Sequence, residues 1–270
     1  MTAQTRSEVL DLLTRHGRHP VKALGQHFLA DPNIVRKIVE VAGVHPGDRV
    51  LEIGAGTGTL TRALAETGAR VLAYEVDGGL RSVLDEVLAG LEVDLRFEDA
   101  AEADLAGAVD GGSWLLVANL PYSVGTPILL DVLRFVPAVV RAVVMVQLEV
   151  ARRLTATAGS RVYGMPTVVA RLHAVPRLEF TVPPQVFVPP PRVGSAVVSL
   201  DRRPAHPEVG RALDLAAAAF AGRRKMLRRS LGGILSDPGA VLAAAGIDET
   251  ARPEDLEPED FLRLAEASRG

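Results

Sequence analysis

Short runs rich in Val, Leu and Ile alternate with amphipathic segments along most of the chain, and this alternation restricts the fold more than any other feature. RVLEIG (49–54), RVLAYEV (70–76), VDLRFED (93–99), WLLVANL (114–120), AVVRAVVMVQ (138–147) and SAVVSLD (195–201) have the near-continuous apolar content of strands covered on both faces. Between them, TLTRALAETG, GLRSVLDEVLAG and PILLDVLRF read as helices closed by glycine or a turn. Strands alternating with helices predict a doubly wound α/β sheet. After Pro207 the pattern turns wholly helical, through VGRALDLAAAAFAG, RKMLRRSLGGIL, PGAVLAAAG and PEDFLRLAEA. A small C-terminal helical domain is therefore expected, with its boundary where RRPAHP (202–207) breaks the pattern. The expected division is an N-terminal basic segment over 1–30, an α/β domain over 31–203 and a helical domain over 204–270.

The first strand-to-helix turn, LEIGAGTGTL, points to the chemistry. Glycines at 54, 56 and 58 let a ligand approach the backbone, and the helix that follows offers free N–H groups. A dinucleotide fingerprint, Gly-x-Gly-x-x-Gly, would need glycine at position 59, where the chain has Thr59. That argues against a nicotinamide cofactor. Glu75 ends the second strand, 21 residues beyond Gly54, where a carboxylate can accept both hydroxyls of a ribose. Asp99 ends the third, placed to meet an adenine amino group. This order suits a nucleoside without a pyrophosphate, and acidic surroundings suit a cationic one. S-adenosylmethionine is both.

The acidic surroundings are local. The net charge is only −3, yet residues 31–111 hold 16 Asp/Glu against 7 Lys/Arg, whereas residues 141–203 hold 9 Lys/Arg against 3 Asp/Glu. Five more cations crowd into RRKMLRR (223–229). The separation implies one surface for a cationic ligand and another for a polyanion. The absence of cysteine excludes disulfides, thiol nucleophiles and Cys-type metal sites, and the six histidines show no metal-ligand spacing, so no metal is expected. The first twenty residues lack the apolar core of a signal peptide, and no stretch is long and apolar enough to span a bilayer. A cytoplasmic protein is expected, and nothing demands more than a monomer.

The segments GQHFL (25–29), LEIGAGTGTLT (51–61), YEVD (74–77), EDA (98–100), NLPY (119–122), MVQLEVARRL (145–154), YGMPTV (163–168), FVPPPRVGSAVV (187–198) and FAGRRKMLRRSL (220–231) occur in one order. Together they resemble the KsgA (RsmA) family of small-subunit ribosomal RNA adenine dimethyltransferases. The resemblance implies a Rossmann-like S-adenosylmethionine-dependent methyltransferase fold with a small C-terminal helical domain that binds RNA and the ribosome. It also implies dimethylation of two adjacent adenosines in the hairpin loop near the 3' end of 16S rRNA, within the 30S particle. By motif matching, cofactor contacts fall on His27, Leu29, Gly54, Gly56, Glu75, Asp99 and Asn119. Family members usually carry Asn where this chain has His27, Asn-Ile-Ser where it has Ser123-Val124-Gly125, and a cation where it has Leu148.

The target end of the reaction falls on NLPY. An adenine amino nitrogen is a poor nucleophile because its lone pair is delocalised into the ring. Hydrogen bonds from its N–H groups to the Asn119 side-chain oxygen and the Leu120 carbonyl would favour a pyramidal nitrogen and free that lone pair. Pro121 stiffens the turn and Tyr122 offers a face for an extruded base, with Phe187 expected as the second wall. Arg223, Arg224, Lys225, Arg228 and Arg229 are expected on a phosphate backbone, with Arg152, Arg153 and Arg192 as further RNA contacts. Trp114, inside a strand, is expected in the core. Two alternatives compete. A large-subunit (23S) dimethyltransferase of the macrolide-resistance type is opposed by Leu120, where that group usually has Ile, and by FAGRRKMLRRSL. A mainly non-catalytic 30S assembly checkpoint factor is opposed by the intact Glu75, Asp99 and NLPY set. Methylation of DNA or of a small molecule is disfavoured by the basic tail.

Overall fold

The computed structural model describes residues 3–109, 111–222 and 225–269. It divides into two compact units, Met1–Ala151 with Arg177–Arg202, and Arg152–Pro176 with Arg203–Gly270. Among the described residues the strands are β1 (Phe28–Leu29), β2 (Arg49–Ile53), β3 (Arg70–Tyr74), β4 (Val93–Arg96), β5 (Trp114–Asn119), β6 (Val139–Gln147), β7 (Ala174–Val182), β8 (Phe187–Val188) and β9 (Ser195–Arg202). The α-helices are α1 (Arg6–Arg15), α2 (Pro32–Ala42), α3 (Thr59–Ala65), α4 (Arg81–Val87), α5 (Leu105–Ala108), α6 (Gly125–Phe135), α7 (Leu148–Leu154), α8 (Met165–His173), α9 (Val209–Ala221), α10 (Leu227–Ser230), α11 (Pro238–Ala244) and α12 (Pro258–Ala267).

The large sheet of the first unit has the order β4-β3-β2-β5-β6-β9-β7. Its five first strands pair in parallel, and β9 runs antiparallel to β6 with Met145 opposite Val197. Parallel strands need both faces covered, and β2 shows why its sequence complies: Val50, Leu51, Glu52 and Ile53 are all buried. From β2 the chain steps outward to β3 and β4, then returns to β5 and leaves in the opposite direction. The reversal opens a crevice at the carboxyl ends of β2 and β5, the place where open α/β sheets bind ligands.

Local chemistry holds the flanking helices in place. The Asp31 carboxylate accepts from the N–H groups of Asn33 and Ile34, Pro32 opens α2, and Gly43 closes it at φ 64°. Its Val35, Ile38, Val39 and Ala42, spaced for one helix face, join β-strand residues such as Val50, Val117 and Met145 in one core. Arg202, at the end of β9, donates to the carbonyls of Val132, Leu133, Val136 and Val139, satisfying the last turn of α6. Trp114 is buried, as its strand position implies.

The second unit is built on helix packing. Along α9, Ala212, Leu215, Ala216 and Ala219 turn inward, and α9 packs on α8 and α12. The Phe220 ring lies between those of Tyr163 and Phe261, with centroids 6.0 and 6.3 Å away. The Tyr163 hydroxyl, buried, donates to the Leu256 carbonyl at 2.7 Å.

Four expectations change. The helical unit is more than residues 204–270, because Arg152–Pro176, including α8, packs with the tail. Strand β7 escapes the hydrophobic pattern because it carries Pro176 and the consecutive exposed residues Arg177, Leu178 and Glu179; it lies at the sheet edge, where a proline without an N–H is tolerated. The other edge strand, β4, is half-buried rather than enclosed. RKMLRRSLGGIL is not one helix: α10 ends at Ser230 and a short turn over Leu231–Gly233 follows, where paired glycines weaken helical propensity.

Candidate active site

The crevice between β2 and β5 is a cleft of about 730 Å³ including open solvent. Gly54 follows β2 and donates, with Ala55, to the Tyr74 carbonyl at 2.8 and 3.1 Å, so the turn is pinned to β3. Gly54 takes φ 84° and Gly56 φ 57°. The positive φ favours glycine at Gly56, and a Cβ there would also press on the Phe28 ring at 3.2 Å. The Gly56 N–H then donates to Glu75 Oε2 at 2.7 Å, while Glu75 Oε1 accepts from the Asp77 N–H at 2.9 Å. Each carboxylate oxygen keeps a second lone pair for a ligand hydroxyl. Burial raises the Glu75 pKa, offset in part by those two N–H donors.

The N-terminal segment closes one side of the cleft. Gln26 accepts from the Val21 N–H and donates to Asp77 Oδ2, each at 2.8 Å, and Gln4 donates to the Thr57 carbonyl at 3.0 Å. β1 pairs antiparallel with β8, setting Leu29 against Phe187. This places His27 and Leu29 in the lining.

On the β5 side, Asn119, Leu120, Pro121 and Tyr122 all line the cleft. The Asn119 amide donates to the His27 carbonyl at 3.5 Å, a weak contact that turns its oxygen away from that carbonyl. Among the described residues no hydrogen bond engages Asn119 Oδ1 or the Leu120 carbonyl. Tyr122 is half-buried, and its hydroxyl bonds Ser195 Oγ at 2.5 Å. After it, Gly125 starts α6 with its N–H on the Pro121 carbonyl; a Cβ there would meet Leu120 Cβ at 2.7 Å. In Ser123-Val124-Gly125 the glycine therefore serves the tight turn that presents NLPY.

Two expected site residues stand elsewhere. Phe187 is fully buried in the core and gives its carbonyl to Arg6, so it walls no pocket; hydrophobic burial of a ring in β8 outweighs its place beside the proline run. Asp99 is exposed and outside the lining, its Oδ1 capping the local turn at the Ala101 N–H. Lys225, Arg228 and Arg229 are exposed in the second unit, with Arg228 paired to Glu249; Arg223 and Arg224 lie outside the described residues. Arg152 and Arg192 are exposed and Arg153 is half-buried.

Sequence reasoning missed Glu52. Its side chain lines the cleft at 1% exposure, and its Oε2 has no hydrogen-bond partner among the described residues. Burial pushes its carboxyl up to about 8; the nearby Thr61 hydroxyl opposes the rise, without completing a bond to Oε2, and Glu75 adds to it. The available signal was an acid inside an otherwise apolar, two-sided strand.

The sequence model of the family described as ribosomal RNA adenine dimethylase matches residues 19–269. The chain belongs to the ribosomal RNA adenine dimethylase family. Among its relatives, ribosomal RNA small subunit methyltransferase A of Phenylobacterium zucineum is 46% identical, over 99% of this chain and 94% of its own. The same-named protein of Kineococcus radiotolerans is 45% identical over 96% and 89%. Among solved structures, the 23S rRNA methyltransferase ErmE superposes with a TM-score of 0.71 at 29% identity, covering 90% of this chain and all of that one. A dimethyladenosine transferase from Plasmodium falciparum shares the fold, with a TM-score of 0.76 at 24% identity over 88% and 96%. The dimethylase family is S-adenosylmethionine-dependent, and the cleft fits that cofactor: the oriented Glu75 carboxylate suits its ribose, and the glycine turn leaves room for the ligand against the backbone. No helix among the described residues is long and apolar enough to cross a membrane.

Proposed function

We propose that this dimethylase transfers methyl groups to the exocyclic amino nitrogens of two adjacent adenosines in the 3'-terminal hairpin loop of 16S rRNA, within the 30S particle. Each would become a dimethyladenosine, and the enzyme would act during ribosome biogenesis, as a cytoplasmic monomer. S-adenosylmethionine, when bound, supplies the electrophilic methyl group. Glu75, Gly54, Gly56 and Leu29 would hold it.

The observation that carries the reading is the pair of unengaged acceptors, Asn119 Oδ1 and the Leu120 carbonyl, beside an aromatic face at the cleft. Two acceptors on one amino group draw its hydrogens out of the ring plane and free the lone pair. No strong base is needed beforehand, because the nitrogen becomes acidic only as the methyl arrives, and water can take the proton. Positioning then supplies most of the acceleration; near-attack geometry is worth roughly 7 to 11 kcal/mol. Stacking on Tyr122 offsets base extrusion by roughly 1 to 3 kcal/mol. Lys225, Arg228, Arg229, Arg152, Arg153 and Arg192 would meet the RNA backbone.

Mass spectrometry of 16S rRNA fragments, after incubation of undermethylated 30S particles with enzyme and cofactor, tests substrate, position and methyl count together. Two doubly methylated adenosines in the 3'-terminal loop are expected. Methylation confined to 23S rRNA would replace this reading with the large-subunit one, and binding to 30S without methyl transfer would favour an assembly checkpoint factor.

A further inference from the structure

Gln4 stands outside the cleft lining, yet it holds one of the residues that line it. Its side-chain amide donates to the Thr57 carbonyl at 3.0 Å, its side-chain oxygen accepts from the Thr57 hydroxyl at 2.7 Å, and its main-chain N–H donates to Thr59 Oγ1 at 2.9 Å. Thr57 is buried between Gly56 and Gly58, both left-handed. Among the described residues, Gln4 supplies the only partner of the Thr57 carbonyl and of the Thr57 hydroxyl. The first half of the turn is fastened otherwise, by Gly54 and Ala55 to Tyr74 and by Gly56 to Glu75. Gln4 is held in turn by the helix it precedes: Thr5 caps α1 in a reciprocal pair with Glu8, Arg6 donates to the Phe187 carbonyl, and Val9, Leu12 and Leu13 are buried in the core. Past that helix, Arg18 and Gln26 both reach Asp77, whose N–H donates to Glu75 Oε1. No motif announces Gln4, which precedes residue 19, where the family model begins to match.

We propose that Gln4 is a positioning residue for the cofactor, acting through Thr57: it locks the second half of the glycine turn in the shape that admits S-adenosylmethionine. The assignment rests on the reading of this cleft as the S-adenosylmethionine site. Glycines on both sides of Thr57 give the turn other shapes to adopt, and a buried carbonyl and hydroxyl left without partners would drive it toward those that reach water. A ligand that fits one shape binds less tightly in proportion to the fraction of molecules holding that shape. Loss of the Gln4 amide should therefore weaken cofactor binding about two- to tenfold, the equivalent of one net hydrogen bond. None of the described hydrogen bonds of Gln4 reaches NLPY, so the target-base end of the cleft keeps its geometry.

The test compares Gln4→Met, which keeps the length of the side chain and the main-chain bond to Thr59, with Gln4→Ala in the full chain. Isothermal titration calorimetry gives the Kd for S-adenosylmethionine without RNA, and amide hydrogen exchange of the ligand-free protein reports on the turn over 54–60. Kinetics with undermethylated 30S particles separate kcat from the KM of each substrate, and thermal unfolding monitors the fold. Both variants are expected to raise the cofactor Kd and KM about two- to tenfold and to speed exchange over the turn, with kcat and the KM for 30S unchanged. A Gln4→Met protein with wild-type cofactor affinity would overturn the assignment. So would a lowered Tm with an unaltered cofactor Kd, the mark of a purely structural contact, or a loss of 30S affinity alone. If Ala unfolds the protein, the Met variant still decides. Failure of the wild type itself to bind S-adenosylmethionine would refute the reading of the cleft instead, so the two failures are distinguishable.

Discussion

Replacing Glu52 with Gln isolates the charge state of the cleft floor. The Glu52 carboxyl is buried at 1% exposure and held at a pKa of about 8, against an ordinary value of 4.5. Between those two values the folded protein keeps a proton that the unfolded chain has released. Stability therefore falls as pH rises through the window, by about 1.4 kcal/mol per pH unit for one proton, and levels off above the folded pKa. From pH 6 to pH 8 the wild type should lose roughly 2 kcal/mol that the Gln variant keeps, since an amide has the same shape and no charge to desolvate. Urea unfolding at pH 6, 7, 8 and 9, followed through circular dichroism, gives both curves. Glu75, also raised by burial, is present in both proteins, and its coupling to Glu52 enters their difference only as Glu52 ionises. Parallel curves would refute the claim that Glu52 is protonated in the folded protein.

Asn119→Ala removes one of the two proposed amino-group acceptors and should lower single-turnover methyl transfer about a hundredfold or more, with the fold intact by circular dichroism. Arg202→Ala removes a guanidinium that donates to four backbone carbonyls, of which Val132 and Val136 keep a backbone N–H, and should cost about 2 to 3 kcal/mol in denaturant unfolding; Arg202→Lys should rescue little, because an ammonium cannot span the same set. Joint replacement of Lys225, Arg228 and Arg229 by Ala should weaken RNA binding and flatten its log–log salt dependence by about 2 units, measured by filter binding between low and physiological salt.

The parallel strands were legible because burial on both faces leaves an unbroken apolar run, and RVLEIG and WLLVANL carry one each. The glycine turn, Glu75 and NLPY were legible because position relative to a strand end determines what such residues can reach. Other features depend on tertiary partners. The two-residue strands β1 and β8 are too short to show any period, and each exists only through the other. β7 takes its identity from being at an edge. Membership of Arg152–Pro176 in the helical unit is set by packing that no local pattern announces. Phe187 and Asp99 show the limit of placing a side chain by motif: one ring turns into the core and one carboxylate turns back on its own loop.

The ribbon of β1 and β8 also bears on when the cleft comes into being. Phe28 leaves the synthesis machinery early, but its partner Val188 emerges only after every parallel strand of the sheet has been made. Contacts between residues this far apart form late, since closing the long intervening loop must precede them. A growing chain that has reached β6 already holds the glycine turn, Glu75 and Asn119, yet Leu29 still lacks its partner Phe187 and His27 lacks the Pro189 carbonyl. The turn after β2 and the end of β5 are thus made before the segment that anchors β1, and the N-terminal side of the cleft is completed last.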